Sequence, residues 1–350
     1  MPVRIATFNC ENLFSRAKIL DMNESAADFA AATAALKAAE QLRAVLRKPT
    51  FTAEDKAKIK SLIAQGKGFF TFEEDRGKLM SGATVVASGA GDFHGHIRFV
   101  KRDVGDVATR NTGKVINALR ADVLCTVEVE DRGLLGDFNS QVLASKRFDH
   151  HMVIDGNDQR GIDVGLMSNL ELRTIRTHVD DMDGNSRTFS RDCTEYETRL
   201  PGGRSLWILC NHLKSQGFGA QATNDARRKK QAARVRAILQ ERFDLKNELV
   251  VVAGDLNDEP DSDPLNPLLT VPNLSNIVST LPAADQFTHI FGTKKSQLDY
   301  LLVSKPLRDT LTSVAVERRG MFKVTGHFPT VTAEADAASD HAAVVAEFAL

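Results

Sequence analysis

The amino-acid sequence predicts an α+β sandwich rather than a doubly wound parallel sheet, and two patterns carry that expectation. Short apolar, β-branched runs far outnumber helical patterns outside residues 15–109, and hairpin-type links between them alternate with only a few helical crossovers. The chain reads as one domain over residues 1–350, into which residues 15–109 are inserted as a helical hairpin followed by a Gly-rich loop. Its 350 residues suffice to bury a sizeable core. A net charge of −1 provides no global field toward nucleic acid or anionic membrane, so a polyanionic substrate would need a local basic patch. No apolar run approaches membrane-spanning length, and Met1 to Asn9 enters a strand pattern without a secretory h-region, which points to the cytoplasm. Four cysteines show no zinc-ligand spacing. Cys10, Cys125 and Cys210 lie in apolar runs and Cys193 in a polar loop, so buried free thiols are expected.

Residues 3–9 form the first core strand, stopped by Asn9-Cys-Glu-Asn12. Residues 24–47 are alanine-rich with helical spacing, and Thr52-Ala-Glu-Asp55 is a capping box opening a second helix that ends near Gly66. Phe69–Phe72 and His94–Lys101 flank a Gly-rich segment and predict short strands or a mobile loop. His94 and His96 invite a metal, but on such a loop solvated side chains are the expectation. Val115, Ile116 and Leu119 mark a helix over 112–120, before the apolar strand Ala121–Glu128. A helix near 134–146 precedes strands near 152–155 and 161–168 in a hairpin-like pattern. Two strands flank Pro201-Gly-Gly203, and a basic helix follows from about Asn224 to Phe243. Its run Arg227-Arg-Lys-Lys230 is either a solvated face or part of a substrate groove. Leu249–Ala253 is a buried strand that Gly254 stops before Asp255 and Asn257, and residues 258–272, rich in Asp and Pro, are loop or broken helix. The strand Leu298–Ser304, a variable strand, and a last core strand Ala338–Phe348 complete the chain.

Six strands begin or end with acid, amide or imidazole: Asn9 with Glu11, Glu128, His212, Asp255 with Asn257, Asp299, and Asp340 with His341. Each alone is an ordinary cap or turn; together they suit attack of water on a phosphate ester. Glu128 would hold a divalent ion against the phosphoryl oxygens, a central carboxylate would accept the water proton, and imidazoles would stabilise the developing charge. Oxygen-rich ligation points to Mg²⁺ or Mn²⁺ rather than Zn²⁺.

The stretches Thr-Phe-Asn9-Cys-Glu-Asn-Leu-Phe14, Val-Glu128-Val-Glu-Asp, Asn-His212-Leu-Lys-Ser, Gly-Asp255-Leu-Asn257, Leu-Asp299-Tyr and Ser-Asp340-His341 resemble, in this order, the motifs of the endonuclease/exonuclease/phosphatase family, the DNase I-like fold. The resemblance covers residues 1–14 and about 110–350. It implies a four-layer α/β/β/α sandwich of two mostly antiparallel sheets, with the site between their upper edges. It also implies that Asn9 and Glu128 form the metal-side pair, with Glu11 and Asp340 as further acids there. Asp255 would orient or deprotonate water beside Asn257, and His341, oriented by Asp299, would contact the phosphate. His212 is similar to the histidine of the DNase I, sphingomyelinase and inositol-phosphatase branches.

The likeness to the family's bacterial nucleases implies a divalent-metal-dependent phosphodiesterase acting on DNA or RNA. Lys214, Arg160 and the Arg227–Lys230 run would then contact backbone phosphates, and Asp163 is a further candidate for the site. The alternative is a phosphatase or phosphodiesterase for a small phosphoester, phosphoinositide or phospholipid headgroup, favoured by His212 and the weak net charge. One Trp and two Tyr leave few side chains for stacking bases. A non-catalytic binding module would have lost part of this set, and no protein partner is evident. The 15–109 insertion departs from the family pattern and is expected to wall the cleft and narrow substrate choice.

Overall fold

A computed structural model describes residues 2–14, 17–20, 26–101, 106–143, 146–217 and 219–350. The chain separates into two compact units, residues 15–103 and residues 1–14 with 104–350. The larger unit contains two six-stranded sheets. The first comprises β1 (Pro2–Leu13), β2 (Val123–Val129), β3 (His150–Val153), β4 (Asp163–Ser168), and, from the end of the chain, β11 (Leu311–Glu317) and β12 (Ala343–Ala349). Their order is β11-β12-β1-β2-β4-β3. The second comprises β5 (Glu171–Arg176), β6 (Cys193–Arg199), β7 (Ser205–His212), β8 (Leu249–Asp255), β9 (Leu274–Asn276) and β10 (Asp299–Ser304), in the order β9-β10-β8-β7-β6-β5.

Each sheet has a single parallel pair at its centre, β1 with β2 and β7 with β8, and the other neighbours are antiparallel. Parallel neighbours need a long crossover, and each crossover carries a helix. Helix α1 (Val107–Leu119) precedes β2 and helix α3 (Gln221–Arg242) precedes β8, while α2 (Arg132–Gln141) follows β2. A parallel pair brings two C-terminal strand ends to one edge, and in this fold those ends carry the candidate site.

Alternation sorts the apolar side chains into layers. Val3, Ile5, Val123, Cys125 and Val127 pack against Ile208, Cys210, Val251, Ala253 and Leu301 between the sheets. Ala6, Phe8 and Leu124 pack outward on Val115, Ile116, Leu119 and Phe138 of α1 and α2. Leu209, Val250 and Val252 pack outward on Val235, Ile238 and Leu239 of α3. The larger unit is thus the four-layer α/β/β/α sandwich that the resemblance implied.

The smaller unit holds helices Ala26–Leu46 and Ala53–Gln65; positions 24 and 25, where the first was expected to start, lie outside the described residues. The capping box forms, with Thr52 and Asp55 each accepting the other's backbone N–H at 3.1 Å. Leu42, Ile59, Leu62, Phe70 and Leu79 form this unit's own core. Where a mobile loop was one expectation, Phe70–Gly77 and Phe93–Phe99 pair as antiparallel strands. His94 and His96 are exposed, each with Nδ1 3.3 Å from Asp75.

One expectation needs correction, and one strand was unforeseen. Cys193 does not sit in a polar loop; it heads β6 and is buried, as are Cys10, Cys125 and Cys210. The edge strand β5 was not anticipated, because charged residues interrupt Leu172 and Ile175. No helix among the described residues is long and apolar enough to cross a membrane.

Candidate active site

Asn9, His212, Asp255 and Asp299 continue the inward-facing alternation of their strands beyond the last apolar core position. Parallel register places His212 beside Asp255, and antiparallel register places Asp255 beside Asp299. Gly254 makes the first of these pairings possible. Its φ is 131°, and a Cβ there would lie 1.9 Å from the carbonyl oxygen of Asn211 on β7. Glu128 would face the outer layer by simple alternation. A left-handed φ of 62° and a register shift against β4 between Val127 and Val129 re-aim it. Glu11 and Asn257 also have positive φ, at 47° and 56°. Such residues cost about 1–3 kcal/mol each, and their gathering at one sheet edge marks that edge as functional.

The result is a closely knit polar cluster. Asn9 Nδ2 lies 3.1 Å from Asp255 Oδ2 and 3.4 Å from Glu128 Oε1. Asp255 also accepts the Asn257 backbone N–H at 2.8 Å and its side-chain amide at 3.1 Å. His212 Nε2 stands 3.7 Å from Asp255 Oδ2 and 3.9 Å from Glu128 Oε1. His341 Nδ1 is 2.8 Å from Asp299 Oδ2, and its Nε2 is 3.9 Å from Asp255 Oδ2. Glu11 Oε2 accepts the backbone N–H of Asp340 at 2.8 Å.

Burial and charge set these groups apart. Asp255 is pushed up to about 7, first by burial and then by the charges of Asp299 and Glu128, against the opposing pull of His341 and the Asn257 N–H. His212 is driven well below the usual imidazole range by burial and by the nearby Arg191 and His341. Burial acts the same way on His341, but Asp299, Asp255 and Asp340 overcome it and hold this imidazole well above its usual range. One buried carboxylate therefore faces a neutral imidazole and a cationic one, the separation of proton affinities that acid–base chemistry needs.

Glu11, Glu128 and Asp340 bring like charges together. Glu11 is raised by burial and by repulsion from Asp340 and Glu128, against the Asp340 N–H and His341. For Asp340, burial is outweighed by His289 and His341, which lower it. Carboxylates of this kind offer hard oxygen donors suited to a divalent cation. Two triads, His289 with Asp340 and His341, and Asp255 with Asp299 and His341, also bring donor atoms within 4.8 Å of one another.

The flanking cations are placed less simply. Arg160 is exposed and forks onto Asp158 at 2.9 and 2.7 Å, on the wall of a cavity of about 720 Å³ lined also by Glu130, Asp155 and Asn157. Half-buried Lys214 reaches the carbonyls of Ser215 and Gly217, both at 3.3 Å. Asp163 accepts the Gly156 N–H at 2.9 Å and so braces the loop bearing Arg160. The Arg227–Lys230 run does not present a row of open charges. Arg228 is fully buried on Asp225, Asp258 and the Lys214 carbonyl, Lys229 binds Asp263, Lys230 binds Asp183, and Arg227 reaches the Arg187 carbonyl.

Two site neighbours were missed in the sequence. Arg191, only 4 % exposed, lies 3.1 Å from Asp158 and is the foremost charge depressing His212. His289 places its ring 4.7 Å from that of His341 and its Nε2 3.4 Å from Asp340. Arg191 stands in an irregular polar stretch and His289 at the start of a three-residue strand, and only the topology brings them to the site.

A model of the endonuclease/exonuclease/phosphatase family matches residues 105–341. No curated protein matches the chain. Among solved structures, a Bacteroides thetaiotaomicron endonuclease/exonuclease/phosphatase family protein is 12% identical, with 99% of this chain and 94% of that chain covered and a TM-score of 0.54. The endonuclease/exonuclease/phosphatase from Bacteroides vulgatus is 16% identical over 69% of this chain and 90% of that one, with a TM-score of 0.50. Truncated Caenorhabditis elegans TDP2 is 20% identical over 69% and 91%, with a TM-score of 0.48. At these identities the likeness to solved structures is one of fold.

Proposed function

The chain belongs to the endonuclease/exonuclease/phosphatase family, whose members hydrolyse phosphoester bonds, and from that premise we propose that it is a Mg²⁺- or Mn²⁺-dependent phosphodiesterase acting on nucleic acid. The observation that carries the reading is the buried Asp255 set between neutral His212 and cationic His341. Asn9, Glu11, Glu128 and Asp340 would hold the ion, which when bound neutralises phosphoryl charge. Asp255 takes the proton of the attacking water, held in place by the amides of Asn9 and Asn257. His212 is neutral, so the imidazole beside Asp255 does not quench the base with a second ion pair. Asp299 occupies His341 Nδ1–H, leaving Nε2–H to stabilise a phosphoryl oxygen. Lys214 and Arg160 would supply the cations for flanking phosphates, with buried Arg191 behind them.

A second reading, a small phosphodiester, phosphoinositide or phospholipid headgroup as substrate, is favoured by the internal pairing of Arg228, Lys229 and Lys230, which leaves fewer charges to follow a long backbone. A panel of single- and double-stranded DNA, RNA, and simple phosphomonoesters and diesters, each with Mg²⁺, Mn²⁺ or EDTA, separates the two. His341→Ala, Asp255→Ala and Glu128→Ala should each lower turnover by about 10²–10⁴-fold in folded protein. Full activity in all three variants, or in EDTA, would sink the assignment.

A further inference from the structure

Beside Glu11 and Asp340 opens a cavity of about 260 Å³ whose apolar wall is Ile290, Phe291, Met321 and Phe322. Phe291 is 79 % exposed and Phe322 39 % exposed; among the described residues of the larger unit no other aromatic side chain belongs with them as exposed. Both are held by elements fixed to the site. Phe291 ends the short strand His289–Phe291, which turns through Gly292 at φ 61° into Lys294–Ser296. Residues two apart on a strand share a face, so Phe291 lies on the face from which His289 reaches Asp340. That strand is tied to the catalytic segment by the bridge between His289 and His341 and by the Ala342 N–H on the Thr288 carbonyl at 2.6 Å. Phe322 follows buried Met321, which packs with Ile290 and Ala342, and one side of its ring stacks on His327.

We propose that Phe291 and Phe322 form a subsite for one unstacked nucleobase next to the scissile phosphate, so that the substrate is single-stranded or locally unpaired nucleic acid. The inference rests on the nucleic-acid reading above and narrows it. Three observations select this occupant. The cavity is smaller than the roughly 300–1,000 Å³ of sites for drug-sized ligands, which fits a single ring system and not a lipid chain. Its polar side holds Glu11 and Asp340, two of the acids assigned to the ion, beside the Lys323–Glu334 ion pair, so an occupant lies next to the group being cut. Exposed aromatic faces bind bases without regard to sequence, but only bases already out of the duplex stack.

The test compares thymidine 5′-(4-nitrophenyl) phosphate with methyl 4-nitrophenyl phosphate, which shares the reacting bond and lacks a base. The wild-type protein should show the lower KM for the thymidine ester and cut single-stranded oligonucleotides faster than duplex. Phe291→Ala and Phe322→Ala should raise the thymidine-ester KM about five- to a hundredfold, equivalent to about 1–3 kcal/mol of stacking. Their kcat on the methyl ester should not change, and Phe291→Trp should restore the KM. An unchanged thymidine-ester KM in both variants, with methyl-ester turnover intact, overturns the subsite and leaves the phosphodiesterase reading standing. So does a variant defect confined to binding of phosphatidylcholine vesicles. Hydrolysis of neither ester, nor of any oligonucleotide, by the wild-type protein overturns the underlying reading itself.

Discussion

Asp163 is a residue whose position makes stability depend on pH. It is buried, one oxygen accepts the Gly156 N–H, and the other has no hydrogen-bond partner among the described residues. Burial raises it to about 7, helped by Asp155 and Asp158 against the Gly156 N–H. A carboxyl raised above its unfolded value contributes stability that is complete below about pH 4 and is lost as pH rises through about 7. At about 1.4 kcal/mol per pKa unit, the ceiling on that loss is about 4 kcal/mol. Denaturation at pH 4 and pH 8 should therefore show a smaller fall in stability for Asp163→Asn than for the wild type. Asp299 carries the matching prediction for catalysis. It is the foremost charge holding the proton on His341, so Asp299→Asn should move the alkaline limb of the kcat/KM profile to lower pH. The acid limb, set by Asp255 at about 7, should also move to lower pH, because the Asp299 charge helps raise that carboxyl. A profile unchanged on its alkaline side would remove the His341 cation as the group that stabilises the phosphoryl oxygen. Polar residues ending apolar runs made Asp255, Asp299 and His341 legible in the sequence. Arg191 and His289 were not, since no periodicity distinguishes a loop arginine or a short-strand histidine that only tertiary folding brings to an edge.

Strand ends matter more than single side chains at the next scale, and Gly254 shows why. Its left-handed φ and the 1.9 Å approach to Asn211 would set any Cβ against the backbone of β7. Gly254→Ala should cost at least about 1–3 kcal/mol in chemical denaturation, from backbone strain alone. It should also separate His212 from Asp255 and lower kcat, whereas Gly202→Ala, in the open turn between β6 and β7, should pay only its local φ strain and keep turnover. The buried strands and the capped helix of the smaller unit were readable because periodicity, Gly and Thr-x-x-Asp signals all agreed. The turn at Glu128 was not, because nothing in Val-Glu-Val-Glu-Asp marks which glutamate takes positive φ. The basic run on α3 stayed open between solvated face and substrate groove for a related reason. A charge count cannot distinguish Arg228, wholly buried in ion pairs, from a side chain open to substrate.

For the whole molecule, the consequence of the two-unit division can be measured. Among the described residues, the larger unit has four apolar clusters of its own, drawn from residues 1–14 and 104–350, and the smaller unit has its own main cluster, drawn from residues 15–103. Cooperative stability therefore should not require both. Replacing residues 15–103 with a short Gly/Ser linker should leave a protein that unfolds in one denaturant transition, with an m-value lowered in proportion to the surface removed. Turnover of methyl 4-nitrophenyl phosphate should persist, because Asn9 and Glu128 are fixed by the parallel pairing of β1 and β2 rather than by the chain between them. Loss of folding would show that the sandwich needs the insertion. A folded, active variant with the same preference among oligonucleotides and small diesters would instead overturn the expectation that the insertion narrows substrate choice.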